Sequence, residues 1–184
     1  MNKQQLRKIL KKERKNYPCL RDGLHTFYAW LCQDRDYYVF QYIKRMRMTE
    51  YHYALRDKNK LHWLGYIWWK HRKNKLGRIL NLDMGEGAFG PGLYIAHTNI
   101  IVGSAKIGND CRLHGQNCIG SGAKIGDGCE LWVGAKVFGP CELADRITVA
   151  AGAVVVDSFE EEGITIGGVP ARKITEINFQ ESPK

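Results

Sequence analysis

From Phe89 onward a large apolar residue stands at every sixth position: Phe89, Ile95, Ile101, Ile107, Leu113, Ile119, Ile125, Leu131, Val137, Leu143, Val149 and Val155. Four places after each aliphatic comes a second set, mostly small, that includes Asn99, Ala105, Cys111, Asn117, Ala123 and Cys129. A six-residue period matches neither the 3.6-residue turn of a helix nor the two-residue alternation of a free strand. It fits a triangular solenoid, in which each hexad is one short strand plus a corner and three hexads complete a turn. The aliphatic fills the prism, the small residue packs beside it, and Gly and Asn/Asp supply corners with positive φ. Successive coils hydrogen-bond about 4.8 Å apart. Each buries its faces only against its neighbours, so stability grows with the stack. Twelve hexads predict four turns.

Two stretches carry a resemblance. The ending "ITIGGVPARKI" (164–174) resembles the Gly-x-Pro-Ala-Lys/Arg segment that closes the domains of hexapeptide-repeat acyltransferases. "GPGLYIAHTNIIVGSAKIGNDC" (90–111) is similar to their serine-acetyltransferase-like branch, in which Leu-x-His stands at this place. The resemblance spans 83–174. It implies a mainly β protein, a left-handed parallel β-helix of about four coils over 81–175, preceded by an α-helical region at 1–80 and followed by a tail at 176–184. Over 1–80 the likeness is only a shared habit of helical extensions.

His97 occupies the third position of its hexad, which points outward on this backbone. The resemblance implies that it is the general base, taking the proton of an acceptor hydroxyl that attacks the acetyl-CoA thioester. An imidazole with an unperturbed pKa near ~6.5 is suited to that transfer. Three hexads return the chain to the same corner, so His114 and Gly115 are expected one coil from His97, with His114 an accessory group. By the same count Asn99 stacks over Asn117, a pair of inward amides able to satisfy each other. The acidic residue that orients the base in serine acetyltransferases falls near Asp83 with a one-residue shift, and Glu86 is the weaker candidate.

For the donor, the maltose and galactoside acetyltransferase branch implies that Ala151, Gly152 and Arg172 line CoA. The Thr-Lys pair of that branch is Val156-Asp157 here, leaving Arg172 and Lys173 as cations for the nucleotide phosphates. For the acceptor, the Asp that precedes the catalytic His in serine acetyltransferases is Ala96. The Arg-His loop between their second and third coils is absent, since "CIGSGAKIG" (118–126) runs through. These departures favour a sugar hydroxyl on a surface-polysaccharide precursor over free serine, which stays as the alternative. A γ-type carbonic anhydrase, which shares the β-helix, needs three zinc-binding histidines. After residue 81 there are only His97 and His114, with Asn109 at the place of another ligand, so no metal is expected.

The net charge of +9 divides unevenly: residues 1–80 hold 20 Lys/Arg against 6 Asp/Glu, and 81–184 hold 8 against 13. Residues 1–16 read as an amphipathic basic helix, 36–56 as a long tyrosine-rich one, and 60–80 as another that Gly77 ends. Such an arm suits a helical cap over the coil edge, a helix lying on an anionic membrane, or, least well, a nucleic-acid binder. A non-catalytic scaffold using this arm is the reading of another class. Six cysteines without CxxC or metal-ligand spacing, no apolar run of membrane-spanning length and no signal-peptide h-region predict reduced thiols and a cytoplasmic setting. Outward Trp132 and Phe138 suggest packing between subunits, and the resemblance implies a homotrimer.

Overall fold

The structure, a computed structural model, describes residues 1–174. Four helices precede the solenoid: α1 (Lys3–Arg14), α2 (Gly23–Leu31), α3 (Arg35–Leu55) and α4 (Lys60–Leu80), with a 3-10 turn at Pro18–Leu20. Each α-helix starts on an Asn or Asp whose side chain accepts a backbone N–H of the first turn: Asn2, Asp22, Asp34 and Asn59. This is ordinary N-capping, which satisfies donors the helix leaves free. Helix α2 falls inside the expected α-helical region 1–80, between the helices expected at 1–16 and 36–56. Helix α4 does not stop at Gly77. It runs to Leu80, and Asn81 ends it in the left-handed conformation. Gly77 serves packing instead, because a Cβ there would lie 2.5 Å from the carbonyl oxygen of Leu82.

The solenoid has five coils, one more than the ladder predicts. One face stacks β1 (Leu82–Met84), β3 (Ile100–Val102), β6 (Cys118–Ile119), β9 (Lys136–Val137) and β12 (Val154–Val155). The second stacks β4 (Lys106–Ile107), β7 (Lys124–Ile125) and β10 (Glu142–Leu143), extended by bridges at Phe89 and Phe159. The third stacks β2 (Tyr94–Ile95), β5 (Arg112–Leu113), β8 (Glu130–Leu131), β11 (Thr148–Val149) and β13 (Thr165–Gly167), and antiparallel β14 (Arg172–Lys173) closes it. The extra coil was hidden at both ends. Asp83 takes the sixth-residue place in β1, and a shortened corner puts Ile166 opposite Val149 out of step with the ladder. The period also slips once in the middle. Val102 pairs with Ile119, so Ile100 and Val102 face in and Ile101 is 58 % exposed.

Inside, the aliphatic ladder is fully buried from Ile95 through Val155, apart from that slip. The thiols of Cys111, Cys129 and Cys141 lie among it and all six cysteines are free. Burial, with some help from the neighbouring Cys129 thiol, pushes Cys111 up to about 12, so it stays protonated and inert.

The first coil exposes an unpaired edge on each face, and side chains of the helical region close all three. On the third face the Tyr17 hydroxyl accepts the N–H of Ile95 and donates to its carbonyl, at 3.1 and 3.2 Å. On the first, the Tyr42 hydroxyl accepts Met84 N–H and Lys73 Nζ donates to Met84 O. On the second, Arg47 donates to the carbonyls of Phe89 and Gly90. The same guanidinium meets Glu13 at 2.6 Å, with Arg47 2 % and Glu13 0 % exposed. Burial pushes the Tyr17 and Tyr42 hydroxyls far above the usual phenol range, so both remain neutral hydrogen-bonding groups. The basic arm is thus a cap on the solenoid, as one reading of the sequence expects.

Tyr17→Phe keeps the ring and removes only the hydroxyl, leaving Ile95 N–H and C=O buried without partners. It should lower unfolding free energy by about 1–3 kcal/mol, read from the urea midpoint with an unchanged slope.

Candidate active site

The third face turns into the first at a corner built by parallel pairing, in which Tyr94 pairs Arg112, Arg112 pairs Glu130, and Glu130 pairs Thr148. That register places His97, Gly115, Val133 and Ala151 at one corner, one per coil. His97 and His114 open into the same hollow of about 360 Å³, with Thr98, Asn99, Gln116 and Val133 around them. The expected neighbourhood of His97 is therefore present. Gly115 is required there: its φ is +101°, and a Cβ would lie 2.6 Å from the Cβ of His97.

The expected amide ladder is not. Asn99 takes a positive φ of 63° at the exposed corner, a consequence of the slip that turns Ile100 inward. Asn117 is buried alone. Its Oδ1 accepts the N–H of Gly115 at 2.9 Å, and its Nδ2 donates to the carbonyls of Trp132 and Ala135. The amide therefore fixes the turn beneath His97 instead of pairing with a second amide.

The two imidazoles have different partners. Arg35, the first residue of α3, brings Nη1 to 2.8 Å from His97 Nδ1 while its Nη2 pairs with Asp36 at 2.9 Å. A guanidinium only donates, so this contact assigns the Nδ1 lone pair to Arg35 and the ring proton of neutral His97 to Nε2. His114 lies flat on Trp132, with centroids 4.6 Å apart and 3° between planes, and its Nε2 is 2.6 Å from Glu130. Trp132, expected to pack between subunits, is spoken for on one face by this stack. Sequence reasoning missed both Arg35 and Glu130. Glu130 lies 16 residues from His114, at a fixed offset on the next coil. Arg35 is 62 residues from His97 and no local pattern marks it.

Asp83 is not brought to His97. It is exposed on β1 opposite Ile101 and lines a different hollow, with Asn81, Arg78 and Asn99. Glu86 is structural: it pairs with Lys73 at 2.9 Å. Burial raises its pKa, but the hydrogen bond and charge of Lys73 outweigh that and hold its carboxyl below the usual range. Ala151 and Gly152 are exposed on the His97 corner, three coils along, which is about 14 Å at strand spacing. Arg172 donates to Asp157 at 2.8 Å and Lys173 to Glu161 at 2.6 Å, so both expected phosphate partners already hold carboxylates.

No family model matches the sequence, and no curated protein is significantly similar to it. Solved structures do match. The serine acetyltransferase of Neisseria gonorrhoeae superposes with a TM-score of 0.69 over 94 % of this chain and 68 % of that one, at 24 % identity. A hexapeptide-repeat serine O-acetyltransferase from Brucella melitensis gives 0.71 over 94 % and 71 %, at 23 % identity. The soybean serine acetyltransferase apoenzyme gives 0.66 over 92 % and 69 %, at 22 % identity. The chain has the serine acetyltransferase fold. The likeness extends through the helical cap as well as the left-handed coils, since it covers 94 % of the chain.

Gly115→Ala forces a Cβ into both a left-handed backbone and the space of His97. It should cost roughly 1–3 kcal/mol, measured by chemical denaturation. A variant as stable as the parent would show that the corner gives way.

Proposed function

We propose that the protein transfers an acetyl group from acetyl-CoA to a hydroxyl of a small acceptor, with His97 as general base. The observation that carries this reading is the placement of His97 in a hollow on the same corner as Ala151 and Gly152. Support comes from the fold, which includes a serine acetyltransferase solved in complex with CoA, similar at TM-score 0.67 and 21 % identity. In this scheme acetyl-CoA lies along the corner from Gly152 toward His97. The acceptor O–H gives its proton to the imidazole as its oxygen attacks the thioester carbon. The C–S bond then breaks, and the imidazolium returns the proton to the CoA sulfur. For phosphate contacts, Arg172 and Lys173 exchange Asp157 and Glu161 for the nucleotide.

Arg35 defines the acceptor. While it holds Nδ1, His97 has no free lone pair. An acceptor bearing an anionic group draws the guanidinium off and frees the ring as the hydroxyl arrives. Free serine, the acceptor of the similar enzymes, supplies a carboxylate. A phosphorylated sugar precursor supplies a phosphate, and Ala96 together with the uninterrupted 118–126 turn favours it, because the expected grips on an amino acid are missing. The His114–Glu130 pair supports a second reading, in which the carboxylate orients His114 as the base.

Kinetics with acetyl-CoA against serine, sugars and sugar phosphates separate these readings. His97→Ala should lower kcat by about 10²–10⁴ with CoA affinity intact, and His114→Ala should cost less. The opposite order would make His114 the base. Arg35→Gln should raise KM for charged acceptors and speed transfer to neutral ones, because the guanidinium no longer holds the Nδ1 lone pair of His97.

The same reading takes the working unit to be a homotrimer, with the hollow completed by a neighbour. Sedimentation equilibrium at micromolar protein should return three times the chain mass. A monomer that retains full transfer activity would exclude a shared site.

A further inference from the structure

Helix α4 divides along its length. Its inward arc, with Lys73, Leu76 and Gly77 buried, packs on α3 and the first coil. At 100° per residue the remaining arc is one continuous outward face. In the first half of the helix that face carries Leu61, Trp63, Leu64, Ile67 and Trp68, each at least 44 % exposed. Toward the second half it carries Arg72, Lys75 and Arg78, all exposed. Arg72 lies 4.8 Å from the Trp68 ring, so the two kinds of residue adjoin. There is no Asp or Glu between Asp57 and Asp83.

Gly77 against Leu82 fixes the C-terminal end of the helix to the solenoid. Trp63, 14 residues earlier, therefore stands about 21 Å along the helix axis from that anchor. The apolar half is held clear of the coils, and no helix among the described residues is long and apolar enough to cross a membrane.

We propose that this face of α4 docks on an anionic lipid surface, lying in the plane of the interface. The chemistry selects that partner. Leu and Ile beside Trp suit the acyl–headgroup boundary, and an unbroken run without carboxylates suits negative headgroups. Nucleic acid uses the cations and can stack on the indoles, but gains nothing from exposed Leu61, Leu64 and Ile67. Face-to-face pairing of two copies through α4 would set Arg72, Lys75 and Arg78 against their own like charges.

The test needs no catalytic activity, so it stands apart from the assignment of the reaction. Full-length protein is sedimented with vesicles of phosphatidylcholine alone and with phosphatidylcholine and phosphatidylglycerol in equal parts. Binding should be at least about tenfold stronger to the anionic vesicles and should weaken with added salt. Leu64→Glu and Trp68→Glu replace exposed side chains, so both should keep the parental circular dichroism and lose vesicle binding. Lys75→Gln with Arg78→Gln should weaken binding to anionic vesicles only. Three results would overturn the proposal: equal binding to both vesicle types, preferential capture by single-stranded RNA in competition, or a fall in oligomer mass in Trp68→Glu, which would make the face a self-contact.

Discussion

A buried guanidinium sets the conditions for everything else in this molecule. Arg47 sits between α1, α3 and the first coil, buried with the Glu13 carboxylate and two backbone carbonyls that it holds. Burial pushes the pKa of Glu13 up, against the pull of Arg47, and one of its oxygens has no other partner among the described residues. Such a pair does little for net stability, since desolvation offsets most of the Coulombic gain. Its value is geometric. A parallel solenoid starts with donors and acceptors facing nothing, and those groups must be met by something other than another coil. Arg47, Tyr17, Tyr42 and Lys73 meet them, and in doing so they fix the helices to the coils in a single orientation.

That orientation delivers Arg35 to His97. The two side chains come from separate regions of the chain, one a helix start capped by Asp34 and the other a solenoid corner braced by Asn117. Neither region contains the arrangement alone. A change at Arg47 or Tyr17 that tilts the cap would therefore alter the environment of the imidazole without touching it.

Much of the coil architecture was legible because its period belongs to no other backbone. Phe89 through Val155 repeat often enough to fix three faces, the outward direction of His97 and its stacking on Gly115. Legibility failed where one residue more or fewer passes through a corner. Ile101 is aliphatic, at the right place and on the wrong side, because the slip is absorbed by the positive φ of Asn99. The fifth coil stayed hidden because Asp83 interrupts the apolar series and the corner after Val155 is irregular. At the site, His114–Glu130 follows from the coil offset once the coils are known. Arg35 does not: one exposed arginine among 28 basic residues has no signature until the helices are docked. Gly77 looked like a stop because glycine commonly ends helices, whereas here it makes room for the carbonyl of Leu82.

The corner that carries His97 also acts as a ruler graduated in whole coils. The span from His97 to Ala151 changes by about 4.8 Å when one complete turn of hexads is gained or lost. An insertion of any other length sends the downstream residues to a different side of the prism. The reach between the His97 imidazole and the far end of the corner is therefore quantised. The distance between two groups on this corner can be changed only in whole coils or by a loop that leaves the register untouched.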